Sequence, residues 1–114
     1  MQELVKIFKA LGDETRIRLL KLLEQRELCV CELMQALEMT QSRVSRNLGI
    51  LKNVGLVKDR RDGLWVHYSI NDEAKPYIKE LLEMLKKSCN DDKIIIKDLG
   101  ELSKAQKLSN LCDT

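Results

Sequence analysis

The chain has 114 residues, a length that predicts one domain with a modest hydrophobic core. Its net charge is only +2, and it contains no apolar run of membrane-spanning length and no signal-peptide pattern, so we expect a cytoplasmic protein with no membrane segment. No histidine accompanies a nucleophile and no Gly-rich phosphate loop is present, so we expect neither an enzyme nor an organic cofactor.

Apolar residues recur at helical spacing at the start of the chain. The spacing predicts a first helix over residues 2–11, and Gly12 is expected to end it. Asp13 is a good N-cap for a second helix that stops near Gln25. Two amphipathic helices in succession favour a mainly helical domain.

Two of the four cysteines, Cys29 and Cys31, come next. Cys29 stands where Ser or Thr stands in a capping box, because Glu32 follows three residues later. We therefore expect a short helix with Cys29 at its N-cap and an end near Leu37. A thiol at a helix N-terminus is expected to have a lowered pKa, and thiolates bind soft metals and metalloids.

The spacing of this pair constrains how an ion is bound. Side chains at positions i and i+2 of a helix point about 200° apart, so Cys29 and Cys31 cannot easily hold one ion while the first turn stays helical. Ion binding is therefore expected to open that turn. Structural disulfides are not expected of the cysteines in a cytosolic chain.

The next helix is predicted to begin at Thr40 or Gln41, to run to about Asn53 and to be closed by Gly55. Its exposed polar side chains are suited to base edges and phosphates of DNA. The candidate DNA contacts on this helix are Gln41, Ser42, Arg43, Ser45 and Arg46.

A β-hairpin is predicted from strands over 56–60 and 64–70, with Asp62-Gly63 as the turn. Its basic residues, Arg60 and Arg61, are expected to reach the flanking DNA backbone or the minor groove. Residues 39–61 hold six basic residues against Asp59 alone, an excess that suits a polyanion. The alternative interpretation of this basic excess is a solvated charged surface that binds no polyanion.

A last long helix is predicted over residues 71–88, with Pro76 early in it. For residues 94–96 a short strand or a hydrophobic tether is expected, and for 99–111 a small helix. The fold class is therefore mainly α with a small β-hairpin, a winged helix-turn-helix. Residues 1–89 are predicted to form the DNA-binding and sensing domain, and 90–114 a C-terminal tail.

Four strings of the sequence resemble the arsenic-responsive repressors of the ArsR type. They are residues 10–16 (ALGDETR), 27–33 (ELCVCEL), 40–48 (TQSRVSRNL) and 62–68 (DGLWVHY). The resemblance covers roughly residues 4–86. It implies a homodimer that pairs through its first and last long helices, binds double-stranded operator DNA, and releases it when As(III) or Sb(III) binds Cys29 and Cys31.

The sequence departs from the resembling proteins that carry three thiols in this helix, because Met34 occupies the third position. The third sulfur is therefore missing, or comes from Cys89 or Cys112. Two other functions stay open: a cadmium- or lead-responsive repressor of the same fold, and a thiol redox-sensing regulator. A winged-helix module that binds protein instead of DNA is a further alternative.

Overall fold

The computed structural model describes the backbone of residues 1–112 and the side chains of residues 1–105. Within this part the chain forms six helices and a three-stranded antiparallel sheet. None of these helices is both long enough and apolar enough to cross a membrane. The elements in chain order are α1 (Gln2–Leu11), α2 (Glu14–Leu23), β1 (Leu28–Cys29), α3 (Val30–Leu37), α4 (Gln41–Asn53), β2 (Val57–Asp62), β3 (Trp65–Ile70), α5 (Pro76–Lys86) and α6 (Lys93–Cys112).

The first four helices confirm the predicted caps. The Asp13 carboxylate accepts the Arg16 backbone N–H at 3.2 Å, and the Thr40 hydroxyl accepts the Arg43 backbone N–H at 3.3 Å. Such side chains satisfy N–H groups that the first turn of a helix leaves unpaired. After α4, Gly55 adopts a φ of +84°, a conformation that glycine takes without steric cost. Only α2 stops slightly before the expected Gln25.

The sheet has the order β1-β3-β2, and β1 was not predicted. Leu28 lies opposite Tyr68, and Cys29 lies opposite His67. The hairpin turn is also one residue later than expected. Asp62 pairs with Trp65, so the loop is Gly63-Leu64 rather than Asp62-Gly63. Gly63, with a φ of +62°, is the first loop residue, where type II′ turns place glycine.

The fifth helix begins at Pro76 rather than at residue 71, so the predicted start was wrong. Asn71 instead closes the base of the wing: its backbone N–H donates to the Leu56 carbonyl at 3.1 Å and its side-chain amide to the Gly55 carbonyl at 2.9 Å. Pro76 takes the first helical position, where its missing N–H is not needed.

The expectation of a strand or tether at 94–96 was also wrong, because these residues start the long helix α6. The Asp92 carboxylate accepts the Ile94 backbone N–H at 2.8 Å at that start. Ile95 is buried while Ile94 and Ile96 are exposed. A helix separates neighbouring side chains in this way, so the three isoleucines need not all be buried.

The helix α6 packs on α2 and α3. The Arg18 guanidinium donates to both Asp98 carboxylate oxygens at 2.8 Å, and Asp98 is only 1% exposed. Two parallel hydrogen bonds to a buried carboxylate fix both position and orientation. The residues foreseen as a tail therefore cover the helix that carries the cysteine pair.

A buried lysine joins α2 to the end of α5. The Lys21 side chain is 2% exposed, and its ammonium donates to the carbonyls of Leu85 and Ser88 at 2.9 and 2.8 Å. It also donates to the Asn90 side chain at 3.0 Å and pairs with Glu24 at 2.9 Å. A cation at a helix C-terminus satisfies carbonyls that have no partner within the helix.

Candidate thiol cleft and DNA-reading surface

Cys29 and Cys31 line one cleft of about 280 Å³. The start of α3 forms one wall, and it includes Met34. The tip of the wing forms the other wall, with Leu64, Trp65 and Val66, and the first residue of α4, Gln41, completes the lining. The cysteine pair, the reading helix and the wing therefore meet at one place.

Cys29 is the N-cap of α3, as predicted, and forms a capping box with Glu32. The Glu32 carboxylate accepts the Cys29 backbone N–H at 3.1 Å and also pairs with the Arg26 guanidinium. Burial alone would raise the pKa of Glu32, but the hydrogen bonds from Arg26 and Cys29 lower it below its ordinary value. Glu32 is therefore ionised, and its carboxylate stabilises the first turn of α3 through these contacts.

The prediction of a lowered pKa at Cys29 was wrong. Burial raises the pKa of the Cys29 thiol, and the neighbouring Glu32 carboxylate adds to that effect. Cys29 is 6% exposed, so the loss of hydration outweighs the favourable N–H groups of the helix start. Cys31 is half-buried and accepts a hydrogen bond from the Gln35 side chain at 3.3 Å. It is disulfide-bonded in this structure, so the expectation that the cysteines form no disulfide was wrong.

Cys89 does not line the thiol cleft. It is exposed, lies just after α5, and lines a separate cavity with Glu14, Arg18 and Asp92. The side chain of Cys112 lies outside the described residues. Among the residues that the structure describes, no three His, Cys, Asp or Glu side chains are grouped as a metal site.

The candidate reading surface is the outer face of α4. Gln41, Ser42, Arg43 and Arg46 are exposed, and Ser45 is partly buried. The Arg43 guanidinium donates to the Thr15 hydroxyl at 3.1 Å. This face is therefore free to meet a partner while α2 restrains one of its arginines.

A polar link that the sequence reasoning missed fixes α4 to the end of α1. The Arg16 guanidinium donates to the carbonyls of Ala10 and Lys9 and to the Asn47 side-chain oxygen, at 2.7, 3.1 and 3.1 Å. The Asn47 amide in turn donates to the Arg43 carbonyl at 2.8 Å. Asn47 is 6% exposed. An asparagine on the apolar side of an amphipathic helix is the sequence feature that could have indicated this buried polar link.

The basic excess around the wing is smaller than the sequence indicated. The Arg60 guanidinium forms three hydrogen bonds with the Glu27 carboxylate, two at 2.9 Å and one at 2.6 Å. Both lysines of this stretch also form ion pairs: Lys52 pairs with Asp59 at 3.0 Å, and Lys58 pairs with Asp72 at 2.6 Å. The partners of Arg60 and Lys58 lie outside the stretch 39–61 in which the charges were counted. Arg61 is exposed and forms no ion pair with a described residue.

An apolar surface remains uncovered on α1 and α5. Leu4, Val5 and Phe8 are 44%, 44% and 55% exposed, and Met84 of α5 is 56% exposed. Leu4, Phe8 and Met84, together with Tyr77, line a shallow cavity of about 270 Å³. Contiguous exposed apolar side chains of this kind mark protein interfaces.

Comparison with known proteins places the chain in a family of regulators. Residues 13–59 match the family model described as "Bacterial regulatory protein, arsR family". The arsenical resistance operon repressor of Escherichia coli K12 is 34% identical over 111 residues, which cover 95% of this chain and 94% of the repressor. The arsenic resistance transcriptional regulator ArsR2 of Pseudomonas putida is 46% identical over 68% of this chain and 69% of its own length.

A solved structure supports the fold. The homodimeric winged helix-turn-helix DNA-binding domain of a Mycobacterium bovis regulator superposes with a TM-score of 0.67 at 29% identity. The match covers 81% of this chain and 82% of that domain. The winged helix-turn-helix predicted from the sequence is confirmed, and the similar proteins are regulators of transcription rather than enzymes. The chain belongs to the arsR family of bacterial regulatory proteins and is a DNA-binding transcriptional repressor.

Proposed function

We propose that this repressor controls arsenical-resistance genes in the cytoplasm, binds operator DNA as a homodimer, and releases it when As(III) or Sb(III) binds Cys29 and Cys31. The observation that carries the proposal is the shared cleft, in which both cysteines face the wing and the first residue of α4. A change at the cysteine pair can therefore alter the DNA-reading elements directly.

The residues of the cleft fit a soft ion. Thiolates are the preferred ligands of such ions, and Cys29 and Cys31 supply two sulfurs from one helical turn. Met34 adds only a weak thioether to the same cleft. Bound As(III) or Sb(III) would supply a strong bond to each thiolate.

The proposed release of DNA follows from the contacts that Cys29 makes in the ion-free protein. Both cysteines line the cleft, but two positions this far apart in a helix are rotated by about 200°, so both sulfurs are expected to bind one ion only if the first turn opens. That movement breaks the hydrogen bond from the Cys29 N–H to Glu32. It also disturbs the pairing of Cys29 with His67 of β3, which belongs to the wing.

Dimerisation through α1 and α5 is the second part of the proposal. The exposed apolar side chains Leu4, Phe8 and Met84 line one cavity between the two helices, and a second copy would cover it. Two reading helices and two wings would then contact one operator, as expected for a palindromic site.

The test uses a fluorescein-labelled duplex that the protein itself selects from a random-sequence library. Anisotropy is measured for fully reduced wild type, C29S, C31S and C89S, with and without arsenite. All four proteins should bind the duplex, and Ser at position 29 remains a good N-cap. Arsenite should release wild type and C89S but not C29S or C31S. Release of either of the latter two would overturn the assignment of that cysteine.

One observation favours a redox sensor as a second candidate, namely that Cys31 is disulfide-bonded in this structure. In the same assay, the oxidant diamide should then release wild type but not C31S, without any metalloid. Adding Cd²⁺ or Pb²⁺ in place of arsenite tests the cadmium- or lead-responsive function. Release by arsenite alone would reject both alternatives.

A further inference from the structure

An open groove lies between α1 and α4, and it shares no lining residue with the thiol cleft. Its volume is about 380 Å³, and Arg16 of α2 belongs to its lining. The lining also includes small and apolar groups, among them the buried Ala10 and the exposed Ile50. Its rim carries the basic side chains Lys6, Lys9, Arg16 and Arg46.

Most of this positive charge has no carboxylate partner. Lys6, Lys9 and Arg46 are exposed, and none of them forms an ion pair with a described residue. This distinguishes the groove from the wing, where Arg60 is held by Glu27. The uncompensated cations of the described chain therefore include a cluster at α1 and α4 that the sequence analysis did not identify.

The groove is preformed and accessible. Arg16 donates to the carbonyls of Lys9 and Ala10 and to Asn47 of α4, so the end of α1 is fixed relative to the reading helix. Gly49 lies within α4 on the groove wall, and a Cβ added there would meet nothing within 4 Å. A partner can approach the backbone of α4 closely at that point.

The lysines lie on their own side of α1. Successive residues of a helix are rotated by about 100°, which places Lys6 and Lys9 about 60° apart. The same geometry places both lysines at least about 100° from the exposed Leu4 and Phe8, whereas Val5 lies about 40° from Lys9. The basic face can therefore be occupied while Leu4 and Phe8 are covered by a second copy.

We propose that Lys6 and Lys9, together with Arg46, bind the phosphodiester backbone of the operator beside the major groove that α4 enters. Arg46 belongs both to the rim of this groove and to the exposed face of α4, so one DNA duplex can meet both surfaces. An open rim of unpaired cations suits a polyanion, whose binding releases counterions. The proposal rests on the DNA binding proposed above and adds α1 to its contact surface.

The experiment measures the salt dependence of binding to the selected duplex from about 50 mM to about 200 mM salt. Each lost phosphate contact lowers the slope of log K against log[salt] by about 0.9, so K6A/K9A, which removes two contacts from each protomer of the dimer, should lower it by about 3.6. K6R/K9R keeps both charges and should keep the wild-type slope. K93A/K97A is the matched control, because it removes two exposed lysines of α6 and the same net charge.

An unchanged slope in K6A/K9A would overturn the inference, as would an equal fall in K93A/K97A, which would indicate a general effect of net charge. Sedimentation of each variant checks that the dimer is intact. Failure of wild type to bind any selected duplex would instead refute the proposed function, so the two failures are distinguishable.

Discussion

Cys29 lies opposite His67 in the antiparallel pairing of β1 with β3. The same residue is the N-cap of α3, so one position joins the thiol helix to the wing. The Glu27–Arg60 ion pair adds a second link between the approach to β1 and strand β2. A displacement of Cys29 therefore affects both the start of α3 and strand β3, because Cys29 is joined to both.

The first prediction concerns the wing cations. Because Glu27 neutralises Arg60, R61A should weaken binding to the duplex and lower the salt slope more than R60A does. E27Q frees Arg60 and should strengthen binding. Anisotropy titrations of the three variants decide the point, and a larger loss in R60A than in R61A would show that Arg60 leaves Glu27 on binding.

The second prediction concerns the reading helix. R43A and R46A should each weaken duplex binding by roughly 1–3 kcal/mol, the usual effect of losing an arginine contact to a base or phosphate. T15V removes the hydroxyl that accepts the Arg43 guanidinium and should cause a smaller loss. Circular dichroism provides the control for folding. Full affinity in both arginine variants would place the reading surface elsewhere.

The third prediction concerns stability. K21M leaves the Leu85 and Ser88 carbonyls and the Glu24 carboxylate without their buried cation, and should cost roughly 3–5 kcal/mol. K79M alters an exposed lysine of α5 and should change the free energy of unfolding by less than about 0.5 kcal/mol. Urea denaturation of both variants at one protein concentration provides the comparison, and equal stabilities would refute the role of Lys21.

Local signals in the sequence explain why α1 to α4 were predicted well. Their apolar spacing, the caps at Asp13, Cys29 and Thr40, and the glycine after α4 all act within one or two turns. The strand β1 has only two residues and therefore no periodicity of its own. Its existence depends on β3, which lies far along the chain.

The properties of the site depended on the same long-range contacts. The pairing of Arg60 with Glu27 and the burial of Cys29 arise only when the wing packs beside α3. Periodicity could place Cys29 at a helix N-terminus, but it could not reveal that burial would raise the pKa of the thiol. The residue types of the site were therefore predictable and their electrostatics were not.

The fourth prediction follows from that raised pKa. The folded protein keeps Cys29 protonated at a pH where the unfolded chain already ionises it, so this residue contributes stability below the unfolded pKa. The contribution is lost as the pH rises through the folded pKa. Wild type should therefore lose more stability than C29S between neutral and alkaline pH, as measured by urea denaturation of reduced protein. Parallel pH profiles of the two proteins would contradict the raised pKa.

The last prediction concerns the number of sulfurs that hold As(III). Two cysteines line the cleft of one protomer, while Cys89 lies in a separate cavity with Arg18. We therefore expect two sulfur ligands in X-ray absorption of the arsenite complex, with reduction by a phosphine so that no other thiol is present. C89S should leave that number unchanged, whereas C29S and C31S should each reduce it. Three sulfurs in wild type that fall to two in C89S or C112S would show that a distant cysteine, of the same or the partner subunit, completes the site.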